Sequence, residues 1–290
     1  MSLLSIERKA LLLGLLALIA IGIMTTLQYS AVRDYQSLGQ LRVVVSDIES
    51  NILTLRRNEK DFLARKDLLY QQRFTANYGV IQANVQELRS GLKGHYTEDI
   101  KINQLVESLE TYKDRFHGMV ELQQEIGFNH QDGLYGSMRR AIHHVEDILQ
   151  ALKQNRLLKD MLMLRRHEKD FMLRNDLKYR EKFDKDMTVM KADLSNAYLH
   201  DGVKREIKTV LAVYEKDFKA LVSATQQMGF SSNEGLHGKM RGDIHQGENA
   251  LNELRQKALS LESDAGSHMI KQIMAFAIVL TLLMGALIRF

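Results

Sequence analysis

Arginines carry the most distinctive chemistry in this sequence. Arg56 and Arg57 recur 109 residues later as Arg165 and Arg166, and Arg139 recurs 102 residues later as Arg241. A guanidinium is a planar fork of donors whose geometry matches a carboxylate. Two helices presenting such forks across a bundle would clamp a small organic anion, and helix starts after glycine turns add a favourable dipole end. His143 and His245 follow Arg139 and Arg241 by one turn and can line the same space. Tyr112 and Tyr214 also recur, as core residues or as pocket hydroxyls. The competing reading is that Arg57 pairs with Asp61, and Arg166 with Asp170, as i,i+4 surface ion pairs.

Other chemistry is weakly represented. His143, His144 and Asp147 have a spacing that could hold a metal, without a strong signature. Glu59 and Asp61, like Glu168 and Asp170, are two residues apart on a helix and do not converge on one point. No nucleophile–base pair, glycine-rich phosphate loop or carboxylate dyad stands out, so the chain is not expected to be an enzyme, and no cofactor or metal is expected. With no cysteine, disulfides and thiol chemistry are excluded, and with no tryptophan a Trp stacking platform is excluded. The net charge is +4, but 40 basic residues are interleaved with 36 acidic ones, which fits solvated helix faces and not a nucleic-acid surface.

Two apolar segments bracket the region that carries these residues. Ala10 to Leu27 is uncharged and would span about 27 Å as a helix, close to the hydrocarbon thickness of a bilayer. Arg8 and Lys9 just before it place the N-terminus in the cytoplasm. A cleaved signal peptide is the alternative, but the apolar stretch is long for one. Ile273 to Ile288 is the second segment, extended by Ile270 and followed by Arg289. The expected organisation is residues 1–9 in the cytoplasm, 10–28 and 269–288 as transmembrane helices, and 29–268 outside, in the periplasm. Residues 289–290 would begin a cytoplasmic output region.

The outer region is a tandem duplication, at approximately 30–150 and 151–265. LRRNEKDFLARKD (Leu55 to Asp67) and LRRHEKDFMLRND (Leu164 to Asp176) agree at nine of thirteen positions. GFNHQDGLYGSMRRAIHH and GFSSNEGLHGKMRGDIHQ repeat in the same order further on. No proline interrupts the helical patterning. Glycine clusters set turns at Gly91–Thr97, Gly127–Gly136, Leu199–Gly202 and Gly229–Gly238. These leave helices near 30–91, 96–127, 134–199, 201–228 and 235–268. Both ends meet one membrane, so the number must be even, and a further reversal is expected near Leu152 to Leu158. The fold expected is therefore all-α: six helices in two stacked four-helix bundles, flanked by two transmembrane helices. Helices one and four would run through both bundles, two and three completing the distal and five and six the proximal. In this arrangement Arg57 and Arg241 are level in the membrane-proximal bundle, and Arg139 and Arg165 in the distal one.

The paired LRRxEKDF motifs, the paired GFxxxxGLxGxMR turns and the flanking apolar helices resemble the helical bimodular sensor domain of bacterial methyl-accepting chemotaxis receptors. The resemblance covers the whole chain. It implies a proximal module that binds Krebs-cycle dicarboxylates such as malate or succinate, and in some members a distal module for a small acid such as acetate. It implies pocket positions at Arg56, Arg57 and Arg241 proximally and Arg139, Arg165 and Arg166 distally. It also implies a homodimer in the bacterial inner membrane, with cytoplasmic signalling partners reached only through the output region. The same sensor occurs on histidine kinases, which is the alternative output. A helical module sensing a protein partner is the alternative of a different class.

Overall fold

In the computed structural model, residues 6–92 and 96–289 are described. Among them there are eight helices and no strand: α1 (Ile6–Arg65), α2 (Leu68–Gly91), α3 (Tyr96–Ile126), α4 (Gly133–Ala151), α5 (Asn155–Arg174), α6 (Lys178–Asn196), α7 (Asp201–Met228) and α8 (Gly235–Arg289). The helices are held by apolar stripes at helical spacing. Ile48, Ile52, Leu55 and Phe62 are buried on α1, and Ile207, Leu211, Tyr214, Phe218 and Leu221 on α7.

The expected break between Ala151 and Leu158 is present: α4 ends at Ala151 and α5 starts at Asn155, with Lys153 in the left-handed conformation at φ 51°. The chain reverses there, because Arg165 of α5 reaches back to Glu146 of α4 at 2.7 Å. Two other breaks correct the expected helix list. The segment 30–91 is divided at Lys66 (φ 55°), and 134–199 is divided again at Asn175 (φ 50°). The two sites are equivalent in the duplication and are built alike. The backbone amides of Lys66 and Asn175 donate to Phe62 and Phe171 at 2.7 and 2.8 Å. The next residue then steadies the turn with its carboxylate: Asp67 Oδ1 accepts from Leu69 N at 2.8 Å, and Asp176 Oδ1 from Lys178 N at 2.9 Å. Each break is a hairpin. Asn77 of α2 donates to the Asn51 carbonyl of α1 at 2.6 Å, and Arg156 of α5 holds Asp193 of α6 with two bonds of 2.7 Å. The other turns fall as expected, although residues 93–95 of the Gly91–Thr97 turn lie outside the described residues.

The duplication extends to the core. Phe62 meets Phe116 edge-on at 5.6 Å, and its counterpart Phe171 meets Phe218 at 5.8 Å. Phe74 lies 4.2 Å from Phe116, and Phe183 lies 4.1 Å from Phe218. The glycine turns match too. Gly127 and Gly229 adopt φ 109° and 104°, where a Cβ would fall 2.3 and 2.1 Å from the carbonyl oxygens of Asp132 and Glu234.

Repeats and packing groups do not coincide. The chain divides into two compact units, one of Met1–Thr54, Asn77–Val106 and Gly247–Phe290, the other of Leu55–Ala76 and Glu107–Gln246. Within the second, α4 packs on α5 and α7, and α6 packs on the same two helices, which closes a four-helix bundle. α4 is the fourth helix of the first repeat, and its partners belong to the second. The fourth helix of the second repeat, α8, makes the reciprocal move. It meets α3 through Asp243–Arg115 (2.5 Å) in the second unit and Glu253–Lys101 (2.7 Å) in the first. It meets α1 through Arg255–Glu49 (3.5 Å) and Glu262–Arg42 (3.7 Å). α3 is itself divided, its residues 96–106 grouping with the first unit and 107–126 with 133–151 in the second.

Among the described residues one helix is long and apolar enough to cross a membrane: α8, over Gly235–Leu282, with a mean hydropathy of 1.4 in its most apolar window and none of that window buried. The expected first span opens α1, where Leu11, Leu15, Leu18, Ile21 and Ile23 are exposed. Residues 1–5 of the expected cytoplasmic N-terminus, and residue 290, lie outside the described residues. Met24, Leu27 and Ala31 of α1 border a small crevice with Met269, Ile273 and Phe276 of α8, so these two stretches lie beside each other.

Candidate functional site

The candidate site is a cavity of about 320 Å³ in the unit that holds α4–α7. Helical spacing positions most of its wall. Arg139, Ile142 and His143 share one face of α4, and Arg165, Glu168, Lys169 and Met172 share one face of α5. The glycine turn before α4 contributes Phe128, Asn129 and His130, the first turn of α4 adds Tyr135, and the α1–α2 reversal adds Lys66.

Charge dominates this wall: four cations (Lys66, Arg139, Arg165, Lys169) face one carboxylate, Glu168. Two of the cations are engaged. Arg165 Nη1 binds Glu146 at 2.7 and 3.0 Å, and Lys169 Nζ binds Glu168 Oε1 at 2.5 Å. Among the described residues, the Lys66 ammonium and the Arg139 guanidinium have no acid or hydrogen-bond partner. Lys66 Nζ instead lies 5.7 Å from the centre of the Tyr135 ring. Burial pushes the Lys66 amine below its ordinary range, since the protonated form loses hydration without gaining an anion. Burial, reinforced by Glu168, pushes the Tyr135 hydroxyl upward and keeps it a donor. Such a wall can receive an anion with charge-assisted hydrogen bonds.

The structure sorts the residues expected from sequence. Arg139 and Arg165, expected to be level, line the same cavity, and His143 joins them with Nδ1 3.7 Å from Glu146. Arg166 is exposed and lies 3.9 Å from Asp170, the surface pair, and is absent from the cavity wall. Arg57 is exposed on α1, while Asp61 pairs with Arg65 at 3.6 Å. Arg56, half-buried, is the true counterpart of Arg165 in the duplication. Arg241 is exposed and donates to Asn233 Oδ1 at 2.8 Å; His245 is exposed as well. Tyr112 and Tyr214 are core residues, both 0 % exposed, whose hydroxyls donate to Glu59 and Glu168. His143 and His144 diverge, the latter to Glu206 at 2.8 Å, and among the described residues no group of three or more acidic or histidine side chains is placed to hold a metal.

Sequence reasoning misses Lys66, Tyr135, Glu168 and Lys169. Glu168 and Lys169 sit inside a motif repeated without change, and that identity is the signal that could have found them. Lys66 carries none, because its place depends on an unforeseen reversal. A second cavity, of about 360 Å³, lies between α1 and α8, lined by Glu49, Glu248 and Arg255 among others. Its one guanidinium is occupied by Glu49 and Asn252, at 3.5 and 2.9 Å, so it offers no comparable cationic wall. No known protein family matches the chain, and no curated protein sequence matches it.

Proposed function

We propose that this chain is the transmembrane sensor portion of a bacterial chemotaxis receptor that binds a small organic acid outside the cytoplasm and signals by displacement of helices across the inner membrane. The observation that carries the reading is the cavity between α4 and α5, where two desolvated or free cations, Lys66 and Arg139, stand beside two paired ones. A carboxylate supplies the charge and the acceptors that this wall lacks. In this reading the apolar ends of α1 and α8 are two membrane spans. Support comes from the exposed apolar side chains on both helices and from the two stretches that lie beside each other. The sensor works as a homodimer, binds no nucleic acid and performs no catalysis. A ligand biases the helices only by as much as its affinity differs between their two positions.

The test is binding by the full chain in detergent micelles, screened by thermal shift against acetate, succinate and malate. A ligand at a thousand times its Kd should stabilise the native state by about 4 kcal/mol. Arg139→Ala should weaken such a ligand about 30- to 150-fold, the equivalent of about 2–3 kcal/mol. An unchanged melting temperature across all three acids overturns the reading.

A further inference from the structure

We infer that Lys66 is a specificity residue of this cavity, reading the second carboxylate of a dicarboxylate whose first is held by Arg139. The inference rests on the anion-binding reading above and adds the class of anion. It starts from charge matching: of the four cations on the wall, Arg165 is neutralised by Glu146 and Lys169 by Glu168, and four less two leaves Lys66 and Arg139. Two uncompensated cations on one cavity fit a dianion and are poorly matched by a monoanion. They stand on different elements, Arg139 on α4 and Lys66 at the α1–α2 reversal, so one molecule must span to satisfy both.

The duplication contains its own comparison. The counterpart of Arg139 is Arg241, but the counterpart of Lys66 is Asn175. The backbone is the same at the two reversals, φ 55° at Lys66 and φ 50° at Asn175. The difference between the copies is thus a side-chain charge and not a change of shape. Asparagine tolerates the left-handed conformation better than lysine does, so Lys66→Asn removes the ammonium while leaving the reversal intact.

Calorimetry on the full chain in micelles, with succinate and acetate as probes, tests this. The wild type should bind succinate at least about tenfold more tightly than acetate, since one more charge-assisted hydrogen bond is made. Lys66→Asn should weaken succinate by about tenfold and leave acetate within about twofold, and Lys66→Arg should keep the preference. If Lys66→Asn keeps the preference, or weakens both acids equally, the inference falls while the anion site stands. If the wild type binds neither acid, the anion-binding reading falls and takes the inference with it.

Discussion

Tyr214 of α7 donates a buried hydrogen bond of 2.8 Å to Glu168 of α5, and the same relationship recurs between Tyr112 and Glu59 in the other repeat. The two copies differ in their surroundings. Glu168 is 1 % exposed, whereas Glu59 is only half-buried. Burial, then the neighbouring Glu168, pushes the Tyr214 hydroxyl well above its ordinary range, so it stays protonated as the donor. Removing that donor leaves a buried carboxylate with one acceptor unsatisfied. Tyr214→Phe should therefore destabilise by about 1–3 kcal/mol in chemical denaturation, and Tyr112→Phe by less. Equal losses would mean that burial does not set the cost.

Acid titration should single out Asp160. Burial first, and then the adjacent Asp193, push its carboxyl above the ordinary 3.8, and its Oδ2 finds no donor among the described residues. A native value above the unfolded one means that the protonated form is favoured in the fold. The contribution is complete below the ordinary value and is lost as pH rises through the raised one. Asp160→Asn should raise the melting temperature at neutral pH, on the order of 2 °C, with the gain vanishing near pH 3. A gain that is independent of pH would rule out ionisation as its cause.

Glycine substitutions should separate strain from mere chain entropy. Gly229→Ala places a Cβ 2.1 Å from the Glu234 carbonyl oxygen at φ 104°, and should cost about 2–3 kcal/mol. At Gly79, inside α2, an added methyl would meet nothing within 4 Å, so Gly79→Ala should stabilise by about 0.5–1 kcal/mol. Denaturation midpoints of the two variants should move in opposite directions; movement in the same direction would discard the distinction.

The absence of native cysteine makes crosslinking direct. Leu27→Cys combined with Ile273→Cys should form an intrachain disulfide in membranes, since both residues border the crevice between α1 and α8. Val32→Cys, on the exposed side of α1, should join two copies if the sensor is a dimer. A monomer band throughout, with oxidation verified, would remove the dimer from the proposal.

What the sequence discloses depends on the type of signal. Glycines at Gly127 and Gly229 mark their turns because only glycine adopts those dihedrals easily. The Ala151–Leu158 reversal follows from the expectation, read from two apolar segments, that both ends of the outer region meet one membrane. Lys66 and Asn175 carry no such mark, because residue pairs such as Lys–Asp also lie inside helices, as at Lys60–Asp61 in α1 and Lys113–Asp114 in α3. Of the two arginines in each LRR motif, sequence offers both as pocket residues. A helix rotates about 100° per residue, so only one can face inward, and Arg165 does so while Arg166 points to solvent. Similarity between repeats reveals which segments are alike. It is silent on whether the fourth helix packs at home or on its neighbour.

The exchange of α4 and α8 also sets a schedule for biosynthesis. Arg115 and Asp243 are 128 residues apart, and Arg255 reaches Glu49 across 206. At about 5–20 residues per second, α3 leaves the ribosome roughly 6–25 s before the part of α8 that covers it. During that interval α1–α3 can cover one another, through Phe62 and Phe74 on Phe116, but lack α8, whereas α4 meets α5 almost as soon as both are made. The four helices α4–α7 can thus assemble while synthesis continues, and the group nearest the N-terminus must close last, around the final helix to emerge.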